Sequence, residues 1–320
     1  VSDEVARFAS YVATLGRGPG RSRPLTRAEA EDAMRLLLAG APDPMQVGAF
    51  LMLLRYRGED PEEMTGLVRA ARERTSLPGL DVALDWPSYG AGRTRGAPWF
   101  LLSALALGRA GMPVLMHGSN AFSGGMSVAQ GLAALDLTQA HTAPDAARGL
   151  AACGFAYVPV EALCPGFAAL LGLRRLFGLR SPINTVARLL NPADAAAGVD
   201  GVFHPPYIET HLAVAERLGR PRLLVLKGGG GEAERNPAKP VHLHVWDHGL
   251  GRSTITAPPL AAAGADPEAA EPDFAALWHG RVHHAAIEAR IVATIALGLL
   301  ALGRGGDAEA QTLWEQRLRT

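Results

Sequence analysis

From Leu80 onward the sequence alternates short apolar runs with longer amphipathic ones, and this alternation most restricts how the chain can fold. Runs suited to strands lie at 80–84, 113–116, 155–160, 223–227 and 241–246. Runs suited to helices lie at 98–110, 125–135, 144–152 and 208–218. That order predicts an α/β domain with a mainly parallel sheet and helices on its faces. In such sheets ligands bind beyond the carboxyl ends of the strands. The loops 85–97, 117–125 and 228–237 each follow a candidate strand, so they are expected along one edge.

Before residue 80 the pattern is helical and its punctuation is explicit. Thr26 with Glu29 forms a capping-box pattern, and Gly40 follows the run. Asp43, Pro44 and Gln46 open a second helix that Gly58 ends, and Asp60, Pro61 and Glu63 open a third. Three helices over about 25–75 predict a small helical bundle. Residues 1–78 are therefore read as a helical domain, completed by a second helical patch at about 162–190. Residues 79–320 are read as the larger α/β domain, with a cleft between the two. The Ala- and Pro-rich stretch 249–273 reads as a surface loop.

The loop Asp85-Trp86-Pro87-Ser88-Tyr89-Gly90-Ala91-Gly92-Arg93-Thr94-Arg95-Gly96 carries the strongest chemical signal. Gly90, Gly92 and Gly96 let backbone N–H groups close around an anion. Arg93 and Arg95 add guanidinium forks matched to phosphate oxygens. No acid occurs between Asp85 and Asp136, so the loop itself supplies no metal ligand. His117 follows a candidate strand directly and lies in a second glycine-rich loop, which favours a ligand-facing role.

Composition narrows the classes further. Net charge is zero, so the molecule as a whole is no magnet for nucleic acid or an anionic membrane. Cys153 and Cys164 are too few for a disulfide framework and fit a reducing compartment. No secretory signal opens the sequence. The longest apolar run, 291–303, is too short to span a bilayer. A cytoplasmic location without membrane attachment is expected.

The run Leu25 to Arg72, LTRAEAEDAMRLLLAGAPDPMQVGAFLMLLRYRGEDPEEMTGLVRAAR, resembles the helical domain of anthranilate phosphoribosyltransferases and pyrimidine nucleoside phosphorylases. Gly178-Leu179-Arg180-Ser181-Pro182-Ile183-Asn184 to Leu190-Asn191-Pro192 is similar to the anthranilate enzyme's G-x-R-T-x-F-N…L-x-N-P motif. The resemblance runs from about residue 25 to the end. It implies an active cleft between the domains and a homodimer joined through the helical domains. It makes Arg180 a candidate for an acceptor carboxylate or another anion, with a structural arginine as the alternative. Asn184 and Asn191 are read as turn-capping residues or ligand contacts.

The departures fall on the chemistry. The enzyme's diphosphate loop reads G-T-G-G-D; here Gly90 and Gly92 remain and Arg93 stands where the acid would be. Of the enzyme's K-H-G-N-R-S-V-S-S-K-S-G run, His117, Gly118 and Ser123 remain and both lysines are absent. The magnesium-binding Asp-Glu pair falls on Ala233 and Glu234, with Glu232 nearby. Glu232 and Glu234 are weak metal candidates or, preferred here, partners of Arg235 and neighbouring arginines. No required cofactor is expected, and magnesium only if the protein is an active enzyme. His242, His244 and His248 alternate so that a strand would set them on one face. His279, His283 and His284 are placed on a helix as solvated residues.

Altered phosphate and metal motifs on a retained scaffold resemble a divergent bacterial branch, often labelled glycosyltransferase-family proteins, of which one kind binds DNA as a dimer. Arg21 and Arg23 lie in an arginine-rich N-terminal arm. Arg174, Arg175 and Arg188 lie in an acid-free stretch from Ala162 to Pro192. The expected function is therefore binding of nucleic acid or another polyphosphate through these arginines, by a protein that is not an effective anthranilate enzyme. The alternative is an active glycosyl- or phosphoribosyltransferase for anthranilate or an unidentified acceptor.

Overall fold

The computed structural model describes residues 2–90, 95–121, 124–260 and 271–319. Gly92, Arg93 and Ser123, all expected at the anion site, lie outside the described residues.

Four helices open the chain: α1 (Asp3–Gly16), α2 (Arg27–Ala39), α3 (Pro44–Arg57) and α4 (Pro61–Thr75). The expected caps set three of their starts. The Thr26 hydroxyl accepts from Glu29 N–H while the Glu29 carboxylate reaches back, and Asp43 and Gln46 repeat this at α3. Asp60 accepts from the N–H groups of Glu62 and Glu63. Each such cap contributes about 1 kcal/mol. The first helix, α1, was not legible from the capping pattern. It packs on α3 through Phe8 and Phe50, whose rings lie 5.0 Å apart.

The sheet has seven strands: β1 (Leu84–Ser88), β2 (Val114–Gly118), β3 (Phe155–Pro159), β4 (Ala197–Val202), β5 (Arg222–Lys227), β6 (Val241–Asp247) and β7 (Gly251–Ala257). Their order is β3-β2-β1-β4-β5-β6-β7. The first five in that order are parallel, while β6 and β7 extend the sheet antiparallel. The α/β expectation holds, with three local corrections. The first strand starts at Leu84, so Asp85 to Ser88 lie inside the sheet and the loop begins at Tyr89. The strand β4 was hidden by its glycines and Asp200, which break the apolar run. The strand β7, expected as loop, is a mostly exposed edge whose polar side chains gave no strand signal.

Between the strands lie α5 (Trp99–Arg109), α6 (Val128–Ala134), α7 (Ala143–Cys153), α8 (Val160–Leu163), α9 (Pro165–Gly172), α10 (Arg174–Phe177), α11 (Ile183–Arg188) and α12 (Pro206–Arg217). After the sheet come α13 (Phe274–Trp278), α14 (Ala285–Ala301) and α15 (Asp307–Gln316). One core joins Leu84 and Trp86 of β1 to Leu101 and Leu105 of α5 and Ile291 and Ile295 of α14. A second core joins Phe8, Phe50 and Leu67 to Phe167, Leu171, Ile183 and Leu190, and continues to Leu212 of α12 and Leu223 and Val225 of β5. The short helices α8 to α11 thus pack with the opening bundle, and both share a core with one face of the sheet. Both cysteines are free thiols. Among the described residues no helix is long and apolar enough to cross a membrane.

Candidate functional site

Strand order reverses between β1 and β4. The chain runs outward from β1 through β2 to β3, then returns to place β4 on the other side of β1. This switch point opens a crevice at the carboxyl edge, where ligands of open α/β sheets bind. The segments after Ser88, Gly118, Val202 and Lys227 all leave from that edge.

Inside the sheet, beneath the crevice, lies a chain of buried polar groups. The Arg220 guanidinium meets Asp85 Oδ2 at 2.9 Å, Asp85 Oδ1 lies 3.2 Å from His117 Nε2, and His117 Nδ1 meets the Tyr89 hydroxyl at 2.8 Å. Burial alone would raise the Asp85 carboxyl, but His117 and Arg220 outweigh it and hold it below the usual carboxylate range. His117 is fully buried in β2. That corrects the ligand-facing expectation: both ring nitrogens face protein partners, and the histidine braces Tyr89 from below. Gly118 is corrected likewise. A Cβ there would sit 1.8 Å from the Ser88 carbonyl oxygen, so its glycine serves the close approach of β1 and β2 rather than an anion.

Above this chain, Gly90 adopts φ 52° and donates its N–H to Glu232 Oε1. Arg95 is exposed. Glu232 is 1% exposed, while Glu234 accepts from Phe100 N–H at 3.2 Å and lies 3.7 Å from Arg290. The expected pairing with a neighbouring arginine forms at Glu234, with Arg290 and not Arg235. Arg235 turns inward to Asp307 at 2.7 Å and to the Pro258 carbonyl. Among the described residues no three His, Cys, Asp or Glu side chains stand together as a metal site.

A cavity of about 300 Å³ lies where α3 and α11 face the end of β4 and the start of α12. Arg55, Arg174, Arg180, Arg188, Phe203 and Tyr207 help to line it, and no acidic side chain is among its described lining residues. Arg180 stands over the Phe203 ring, 5.5 Å from its centroid. Its pKa is lowered to about 10, first by burial and then by Arg174 and Arg188, with Tyr207 opposing. Asn184 lines the same cavity, and its Oδ1 accepts from Ser181 N–H at 3.2 Å, which fixes the turn that presents Arg180. Asn191 does purely structural work, exchanging two 2.9 Å bonds with the Ala195 backbone.

Sequence reasoning missed the acids that stand behind Arg55, Tyr207 and His211 of the cavity lining. Tyr207 donates to Glu59 Oε1 at 3.3 Å, and Arg55 hydrogen bonds the same hydroxyl. Burial is the main influence on Glu59 and pushes its carboxyl up, against Thr185, Arg55 and Tyr207. Next to them His211 Nδ1 meets Asp200 Oδ2 at 2.7 Å, both buried. The available signal was an acid inside an apolar strand, at Asp85 and again at Asp200, since such residues are almost never buried unpaired.

The arginines expected to bind nucleic acid are not all at the surface. Arg188 is buried and donates to the Gly201 carbonyl of β4 and the Gly231 carbonyl at 3.0 Å each. Arg23 makes a two-pronged pair with Glu29. Arg21 and Arg175 are exposed and Arg174 is partly buried. The histidine expectations also change. His242 and His244 lie on β6 against Thr256 and Thr254 of β7, but His248 falls beyond the strand. His279 and His284 flank α13 and α14 rather than lying within a helix, and His284 caps α14 by accepting from Ile287 N–H.

Comparison with known proteins places this geometry. Residues 9–75 match the glycosyl transferase family helical bundle domain, and residues 100–266 match the glycosyl transferase family a/b domain. An anthranilate phosphoribosyltransferase of Rhodospirillum rubrum is 32% identical over 270 residues, covering 81% of this chain and 77% of its own. That of Moorella thermoacetica is 33% identical over 240 residues, covering 73% and 70%. The crystal structure of the Thermus thermophilus anthranilate phosphoribosyltransferase superposes with a TM-score of 0.75 at 26% identity, over 98% of this chain and 94% of that one. The Saccharomyces cerevisiae enzyme, in complex with PRPP and Mg, has the same fold, with a TM-score of 0.76 at 18% identity over 99% and 94% of the two chains.

Proposed function

The chain belongs to the glycosyl transferase family whose helical bundle and a/b domains it matches, and from that premise we propose that it transfers a phosphoribosyl group to an acceptor bearing a carboxylate on a flat apolar body. The observation that carries this reading is Arg180, held over the Phe203 ring in a cavity lined by four guanidinium groups. A guanidinium fork matches a carboxylate, and an adjacent ring offers a face to an aromatic acid. Anthranilate, for which the relatives are named, has that shape.

In such a transfer the acceptor nitrogen forms a bond to C1 of the ribose while the bond from C1 to the diphosphate oxygen breaks. The acceptor nitrogen then loses a proton. Little covalent help is needed; the protein holds both partners and stabilises charge on the departing diphosphate. Arg180 would orient the acceptor, and the segment after β1 would receive the diphosphate. Magnesium usually takes one or two carboxylates together with substrate phosphates. Glu232 and Glu234 are two of the acids beside the loop, and they would suffice only with those phosphates present. The cation would neutralise the diphosphate as it leaves.

Calorimetric titration of anthranilate into the parent and Arg180→Ala tests the reading. A charge-assisted hydrogen bond contributes about 1.5–3 kcal/mol, so the variant should bind roughly ten- to a hundredfold more weakly. Equal affinity would refute it. The competing proposal, nucleic-acid binding, retains exposed Arg21 and Arg175 and partly buried Arg174 as its support. Oligonucleotide binding that weakens steeply with salt would favour it. Self-association through the helical part is supported by a stripe along α3 that includes Met45 and Tyr56, 82% and 91% exposed. Sedimentation of the parent and Tyr56→Glu tests it, with a dimer lost in the variant as the expected result.

A further inference from the structure

Three described backbone donors that flank the loop after β1 are met by acids drawn from distant parts of the chain. Gly90 N–H donates to Glu232, Ala97 N–H to Glu271 at 3.0 Å, and Phe100 N–H to Glu234 at 3.2 Å. These partners are 142, 174 and 134 residues away. At Phe100 the local sequence explains the demand. The first N–H groups of a helix have no partner within it, and its N-terminus carries partial positive charge. Pro98, at the N-cap of α5, contributes no side-chain hydrogen bond. The second oxygen of Glu271 lies over Gly96, where a Cβ would come within 2.6 Å of it.

The three acids differ in how firmly they are held. Glu234 is also close to Arg290, which suits a permanent cap of α5. Glu271 is exposed. Glu232 is buried against Gly90.

We propose that Glu232 and Glu271 are internal competitors for the phosphate group that this loop receives. With no ligand bound, their carboxylates hold the Gly90 and Ala97 donors. An entering phosphate or diphosphate must displace at least one of them and meets their negative charge as it does so. The protein alone therefore binds such anions weakly, and these two acids set the affinity. The inference rests on the reading that the loop after β1 receives a diphosphate.

The test is calorimetric titration of inorganic pyrophosphate, without divalent cation, into the full chain and its Glu271→Ala and Glu232→Gln variants. Each variant should bind pyrophosphate about tenfold more tightly than the parent, a change of about 1.4 kcal/mol. Affinity equal to or below the parent's in Glu271→Ala, including no binding, overturns the inference. That variant decides because its side chain is exposed, and a melting curve confirms that it is folded. Anthranilate titrated into the same samples reads the Arg180 cavity separately. If anthranilate fails to bind while pyrophosphate tightens, the acceptor assignment falls and this inference stands.

Discussion

Replacing Asp85 by Ala should destabilise the protein far more than an ordinary surface change. The Asp85 carboxylate, 1% exposed, lies 2.9 Å from Arg220 and 3.2 Å from His117. Arg220 is itself buried and lies against Gly198, where a Cβ would sit 1.9 Å from its Nη2. Without the acid, a cation is left buried without its counter-charge, which costs about 3–5 kcal/mol. Unfolding entropy near 2.1 cal/mol/K per residue gives about 0.7 kcal/mol/K for a chain of this length. The melting midpoint should therefore fall by about 4–7 °C. Thermal and urea melts followed by circular dichroism measure it, on the parent, Asp85→Ala, Arg220→Met and the double variant Asp85→Leu/Arg220→Met. Exchanging a buried ion pair for packed apolar side chains is often neutral or stabilising, so the double variant should recover most of the loss. A shift below about 1 °C for Asp85→Ala, or a double variant no better than it, would refute the account.

The remaining predictions use the same structure. Glu59 has a raised carboxyl pKa, so its folded form keeps a proton that the unfolded chain gives up. The stability it confers is complete below the unfolded carboxyl value, about 4.3, and is lost as pH rises through the folded one. Glu59→Gln should thus melt above the parent near pH 8, with the gap closing toward pH 4–5; a gap independent of pH would count against it. Gly118→Ala forces β1 and β2 apart and should cost at least about 1–3 kcal/mol in urea melts, with little effect expected if the strands yield freely. Arg180→Lys keeps the charge but loses the fork, so its anthranilate affinity should fall between those of the parent and Arg180→Ala.

What could be read from the sequence was whatever has a local cause. The starts of α2, α3 and α4 follow from side chains three residues apart, and the parallel sheet follows from its alternation with helices. Two candidate site positions have a local reason for their geometry: Gly90 with its positive φ, and Arg180 in the turn fixed by Asn184. The site was not legible where the reason lies across the chain. Nothing near His117 shows that Asp85 and Tyr89 will close on it from another strand. Nothing near Arg188 shows that it will be buried under two carbonyls from 201 and 231. Glu59 reads as a helix-link residue until α12 brings Tyr207 to it.

The shared core has a consequence for how the chain is made. Helices α1 to α4 are synthesised before α8 to α11, yet Phe8, Phe50 and Leu67 complete their packing with Phe167, Ile183 and Leu190. At about 5–20 residues per second, roughly 6–23 s of translation separate the end of α4 from the end of α11. Through that interval the bundle leaves the ribosome with part of its apolar surface uncovered, a surface suited to a chaperone or to a neighbouring nascent chain. A ribosome stalled before residue 160 would hold a helical fragment that has its caps but lacks the residues that cover its core.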